Sequence, residues 1–318
     1  MVDAQLAQLS DTLFWVAMAV YAVAMGAFFA ALYRGARIGA AATVIAWGGL
    51  LVHATSIATR ALSVGRVPWG NMFEYSNMIG LLLVAVYLLV LDRRLGLRQL
   101  GGFAMGAAVL ALAGARGVYA PAGPLVPALQ SWWLRVHVLA AIVASTLFGL
   151  SFIFTVLSLV KSRIERRSPA FTGSTVGAAY VGTEPEAPAE RREGLPVDFD
   201  NEEPALAERR AMSRIPSAAR FDTLAFRTIQ IAFPVWTFAV IAGAIWAHEA
   251  WGRYWGWDPK ETFAFVTWVI YAGYLHARAT AGWRGTRAAV ISVAGFVSVL
   301  FTYFAVNLWI AGLHSYQR

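Results

Sequence analysis

The sequence predicts an all-α, polytopic membrane protein: a helical bundle of about eight transmembrane helices with both termini outside the cytoplasm. Three observations carry that reading. Of 318 residues, 58% are hydrophobic and only 14% charged, and the mean hydropathy is +0.57, values that belong to membrane proteins. Apolar runs of roughly 20 residues, the length that crosses a bilayer core as helix, recur along the chain. Basic residues gather at every second boundary between those runs, as the positive-inside rule requires.

The runs fall at about 12–33, 38–59, 75–91, 99–115, 135–160, 225–247, 262–282 and 288–310. The first begins near Thr12 with no basic segment ahead of it, so it reads as a retained span and not a cleaved signal. Arg34 and Arg37 follow it; Arg93, Arg94 and Arg98 follow the third; Lys161, Arg163, Arg166 and Arg167 the fifth; Arg278, Arg284 and Arg287 the seventh. The fourth run is short and rich in Gly and Ala, which suits either close helix packing or a re-entrant segment. Between the fifth and sixth runs, residues 161–224 hold 11 of the 18 acidic residues and several prolines. That composition predicts a disordered cytoplasmic loop. The expected organisation is therefore a membrane region at 1–160, the loop at 161–224, and a second membrane region at 225–318.

The net charge of +8 is spread through short clusters between apolar runs, which topology explains and nucleic-acid binding does not. Cysteine is absent, so thiol nucleophiles, disulfides and thiolate ligation are excluded. Any metal chemistry falls to His, Met or carboxylates.

The densest unusual segment is Ile245 to Glu261, with Trp246, Trp251, Trp255 and Trp257 in a connector that the topology puts outside. An interfacial aromatic belt accounts for some of these indoles. Asp258, Pro259 and Glu261 have the spacing of a helix start: N-cap, first position and third position. Four Trp within twelve residues, interleaved with Gly252 and Gly256, also suit a flat aromatic ligand, whose carboxylates Arg253 and Lys260 can neutralise. His137 and His314 come to the same outer side and can ligate a metal from two different spans. His276 lies about 22 Å of helix below Glu261, so it implies a second, inner site if it ligates. His53 and His248 stay unassigned: each is a further donor or a structural histidine.

TrpGly-x-x-Trp-x-TrpAsp-x-LysGlu, from Trp251 to Glu261, resembles the tryptophan-rich signature of the haem-handling family that includes CcsA (ResC), CcmC and CcmF. FDTLAFRTIQIAFPVWTFAVIAGAIWA before it, TFAFVTWVIYAGYLHAR after it, NLWIAGLHSYQR at the C-terminus and VPWGNMFEYS at 67–76 are similar to the CcsA branch of cytochrome c biogenesis proteins. The resemblance implies that Trp251, Gly252, Trp255, Trp257, Asp258, Lys260 and Glu261 hold haem b on the outer face of a bacterial cytoplasmic membrane. It maps two axial ligands onto His137 and His314, and an intramembrane ligand onto His276, shared with a CcsB/ResB-like partner. The implied function is haem transport and presentation for thioether attachment to apocytochrome c, in a synthase complex served by a thiol-reducing assembly protein. No catalytic side chain is evident beyond those that position haem. The competing readings are a membrane electron-transfer cytochrome with permanent haem, a transporter for another planar or lipid molecule, and a CcmC-like protein that loads a haem chaperone.

Overall fold

A computed structural model describes residues 2–124, 129–167 and 211–310. Among these every regular element is helical. We number them α1 (Ala4–Arg34), α2 (Ala36–Val64), α3 (Met72–Val86, continued by a π-helical turn at Tyr87–Asp92) and α4 (Gly101–Gly117). The second half comprises α5 (Trp132–Arg167), α6 (Ala218–Trp251), α7 (Pro259–Ala279) and α8 (Thr286–Leu300, with a π turn at Phe301–Ala305).

Seven of these helical segments are long and apolar enough to cross a membrane, so the chain is a multi-pass membrane protein. The segment preceding α4, Arg98–Leu100, joins it into a 20-residue element, which favours a full crossing over a re-entrant turn. The seventh expected span forms as the 21-residue helix α7 but is not among those seven. Its Trp268, Tyr271, Tyr274 and His276 are amphipathic and hold its hydropathy down. Helix also reaches further into the expected loop than composition suggested. α5 runs on to Arg167, a helical turn begins at Ala211, and α6 starts at Ala218 behind a Ser217 cap. These flanks carry polar anchors: Lys161 Nζ donates to the Met212 carbonyl and Arg278 pairs with Asp222 at 2.8 Å. The rest of the loop, 168–210, lies outside the described residues.

Local rules set the helix ends. Asp3 caps α1 through the Gln5 and Leu6 amides, at 3.0 and 3.1 Å. A single residue, Gly35 at φ 103°, turns α1 into α2, a conformation that side chains resist. α1 and α2 then pack along their length. Ser10 and Ser56 exchange hydroxyl-to-carbonyl hydrogen bonds of 2.7 and 2.8 Å, the kind of polar glue that helices use where lipid removes the hydrophobic drive.

Two apolar cores result. One is built by α1–α4 with Leu150, Phe154, Phe221 and Ala225 from α5 and α6, away from the Trp segment. The other joins α5–α8 around Phe148, Trp236, Tyr271 and Tyr274, with Phe148 and Tyr271 stacked at 3.9 Å. Polar ties link α7 to α8 through Thr267 and Ser298 at 2.8 Å, and α5 to α8 through Thr155 and Ser292 at 3.1 Å. At the end that carries the Trp segment, the two halves meet through α3. Tyr75 bonds Ser145 at 2.9 Å and stacks on Tyr303, whose hydroxyl donates to the Met72 carbonyl at 2.6 Å.

Candidate functional site

Between the two cores, at the Trp-segment end, lies a cavity of about 650 Å³, in the size range of pockets that take small molecules, roughly 300–1,000 Å³. Its walls come from both halves of the bundle: α3 and α4 on one side, α5, α6, α7 and α8 on the other. It is deep. The α5 wall runs from Leu134 to Ile153, about 28 Å of helix at 1.5 Å per residue. The walls are mostly apolar, and the exceptions include His137, Lys260, Glu261 and Asn307.

His137 is held by its second nitrogen. Its Nδ1 lies 2.7 Å from the Ala239 carbonyl oxygen on α6; a carbonyl only accepts, so Nδ1 carries the proton and Nε2 the lone pair. That outer hydrogen bond is the usual device for orienting a ligating imidazole. The ring stacks on Trp246 at 6.4 Å and 14°. Gly243 makes the approach possible, because a Cβ there would sit 2.7 Å from Nδ1.

The Trp segment divides its residues. Trp251 ends α6, packs edge-on against Trp246 at 4.9 Å and joins a third, small apolar cluster with Leu129 and Leu134. Gly252 closes the helix in the left-handed conformation at φ 73°. Trp255 is in the cavity wall, set perpendicular to Trp257 at 5.8 Å. Trp257 is 68% exposed and holds φ 57°, a left-handed backbone that a bulky residue seldom adopts. The Arg253 guanidinium lies over Gly256, so a Cβ there would have to push aside the end of that flexible side chain.

Asp258 is buried and serves as cap. Its carboxylate accepts from the Lys260 amide, and the Glu261 carboxylate returns to the Asp258 amide at 3.1 Å, so the capping box read from the sequence forms. Glu261 Oε2 also accepts from the Gly256 amide at 2.8 Å, while Oε1 is buried with no hydrogen-bond partner among the described residues. One side chain thus starts α7 and closes the Trp loop. Lys260 lies ahead of the apolar stretch 262–282 and lines the cavity. Burial pulls its ammonium down to about 8, against the opposing pull of Asp258.

The structure therefore brings His137, Trp255, Lys260 and Glu261 into one cavity, with Asp258 and Gly252 as framework. His276 is elsewhere, exposed on the last turn of α7 at the opposite end. His314 lies outside the described residues. No group of three or more metal-ligating side chains forms among the described residues. His53 is a core residue: Nε2 donates to Asn77 Oδ1 at 2.7 Å and Nδ1 accepts from the Tyr21 hydroxyl at 3.2 Å. His248 stacks on Tyr254 at 4.3 Å, and its neighbour Glu249 accepts from Ser131. Trp69 and Gly243 are wall residues that the sequence reading did not single out. Each lies in a stretch similar to the CcsA branch, but the other walls of the cavity come from distant chain positions, so the local pattern does not give either residue its place.

Comparison with known proteins agrees with this architecture. Residues 12–314 match the family model of the cytochrome C assembly protein. The chain is 35% identical to the cytochrome c biogenesis protein CcsA of Gloeobacter violaceus over 297 residues, 88% of this chain and 86% of that protein. It is 36% identical to CcsA of Synechococcus elongatus, covering 84% of each. Among solved structures, the cytochrome c haem lyase CcmF superposes with a TM-score of 0.64 at 15% identity, over 94% of this chain and 46% of that one, a likeness of fold alone. Spans, cavity and sequence kinship converge: the chain belongs to the cytochrome c assembly protein family, as a CcsA-type membrane protein of cytochrome c maturation.

Proposed function

We propose that this chain receives haem b and presents it in the outer cavity for thioether attachment to apocytochrome c, as one subunit of a cytochrome c synthase. The observation that carries the reading is the meeting of His137, Trp255 and Lys260 in one deep apolar cavity, with the lone pair of His137 directed onto Nε2 by the Ala239 carbonyl. An imidazole, an indole face and an ammonium are the donors that iron, a porphyrin plane and carboxylates require. His314, by family resemblance, supplies the second axial nitrogen. Trp257, largely exposed, is available to a ligand that protrudes from the cavity.

The substrate brings the thiols, since this chain has no cysteine, and a thiol-reducing assembly protein keeps them reduced. Thiol addition across a haem vinyl forms a carbon–sulfur bond, and the thiol proton ends on the neighbouring vinyl carbon. The chain's share is placement: holding both reactants in one geometry converts a bimolecular step into a local one. His276, exposed at the far end of α7, is suited to completing an inner haem site with a histidine of a CcsB/ResB-like partner. The positive-inside pattern assigns the Trp loop to the extracytoplasmic side of a bacterial cytoplasmic membrane. On this reading 1–160 and 225–318 carry the chemistry and 161–224 only connects them. A permanent electron-transfer cytochrome needs histidine pairs at one depth, and both ring nitrogens of His53 are engaged by Asn77 and Tyr21.

The test is the absorption spectrum of the complex purified with its partner. His137→Ala and His314→Ala should each deplete one haem population, recoverable with added imidazole, and His276→Ala a different one. Unchanged spectra in all three variants would overturn the assignment.

A further inference from the structure

Trp69 lies in the short connection between α2 and α3 and forms part of the outer cavity wall. Its indole Nε1–H is buried and has no acceptor among the described residues. A buried donor left without a partner is a standing penalty on the fold. The connection is also held fast. The buried Glu74 carboxylate takes the Gly70 amide at 2.7 Å, Arg66 at 2.8 and 3.0 Å, and Arg60 at 2.9 Å. Asn71 caps α3 through the Glu74 amide, and Arg60 and Arg66 reach on to the carbonyls of Ala120 and Gly123. Trp69 is thus framed on both sides by residues with fixed partners.

Lys260, from the opposite half of the bundle, is a charged donor-only side chain of the same cavity. Neither an indole N–H nor an ammonium accepts, so the two groups select a ligand that carries acceptor oxygens. Glu261 does not meet that need from within, because one of its oxygens is held by two backbone amides and the other has no partner among the described residues.

We propose that Trp69 is a further ligand-binding residue of the outer cavity, its indole N–H donating to a carboxylate on the edge of the flat ligand that Lys260 also meets. The inference rests on the haem reading above and deepens it. It names the carboxylate edge of the macrocycle as the edge recognised by the α2–α3 connection.

The experiment is a titration of the full chain with its partner, stripped of haem, using haemin and haemin dimethyl ester. Trp69→Phe keeps an aromatic side chain but removes the N–H together with the pyrrole half of the indole, so the comparison of haemin with its ester isolates the hydrogen bond from the lost bulk. The haemin Kd should rise about tenfold in the variant, the scale of a hydrogen bond to a charged acceptor, with a much smaller shift for the ester. Retained ester binding reports that the variant is folded; should the wild type bind no ester, its melting profile does so and the haemin shift decides. A haemin shift below twofold, or an equal shift for both ligands, overturns the role of Trp69. If wild-type binding of haemin is itself indifferent to His137→Ala, the haem reading falls first and this inference with it.

Discussion

The imidazole of His137 on α5 donates from Nδ1 to the backbone carbonyl of Ala239 on α6, at 2.7 Å, so one hydrogen bond joins the two longest helices of the second half and sets the tautomer of the candidate ligand. The orientation depends on a bare backbone at Gly243, one turn beyond Ala239.

Gly243→Ala is the direct test of that geometry. The added methyl would lie 2.7 Å from Nδ1 and 2.8 Å from Cε1, so the ring must turn away. Overpacking of this kind costs about 1–3 kcal/mol. The variant should insert and fold with a lowered thermal midpoint, yet lose the same haem absorbance as His137→Ala.

Glu74 anchors two arginines in a nearly dry site, with Arg60 also over the Phe73 ring at 4.7 Å. Glu74→Gln leaves uncompensated buried charge, and removing one partner of such a network costs about 3–5 kcal/mol. Detergent-solubilised protein should show a large fall in midpoint under thermal or SDS denaturation, more than for Asp11→Asn, whose ion pair with Arg116 is longer and partly exposed.

His53→Phe should cost stability and leave the haem spectrum untouched. The change strands Asn77 in the core, a penalty of about 1–3 kcal/mol. A lost haem band in that variant would contradict the structural role of this histidine.

Lys260 gives a pH signature. Its ammonium is native only below about 8, so carboxylate-assisted binding of haemin should be strongest below that pH and weaken above it. Lys260→Met should flatten the profile. The sign for stability is opposite: with its folded value below the ordinary lysine range, the group binds fewer protons folded than unfolded. Its contribution to stability therefore rises as pH climbs from about 8 through that range. Titrating haemin Kd across this interval, beside midpoints for both proteins, separates the two effects.

Trp257 holds a left-handed backbone at φ 57°. Trp257→Asn, which tolerates that region, should hold or raise the midpoint, whereas Trp257→Val should lower it by about 1–2 kcal/mol equivalent. Both should weaken haem retention if the indole is the contact that matters.

Much of this was legible in the chain, and the failures have causes. Capping by Asp258 and Glu261 is a local code, complete within four residues, so it could be read directly. Span positions follow from hydropathy over about 20 residues, which also explains why aromatic-rich α7 is the marginal one. The assignments of Trp251 to a packing role and Trp255 to the cavity wall were not legible, because both share one composition and differ only in what lies across from them. His53 shows the same limit: its partners, Tyr21 and Asn77, sit on two other helices.

The cavity is a seam between two separately packed cores and not a hole in one. At the cavity end the bodies abut at Tyr75, Ser145 and Tyr303, so weakening those contacts would change the gap there while sparing both interiors. Variants in this protein should accordingly sort into those that melt a half and those that only misalign the halves, with the second group keeping its melting temperature while losing its ligand.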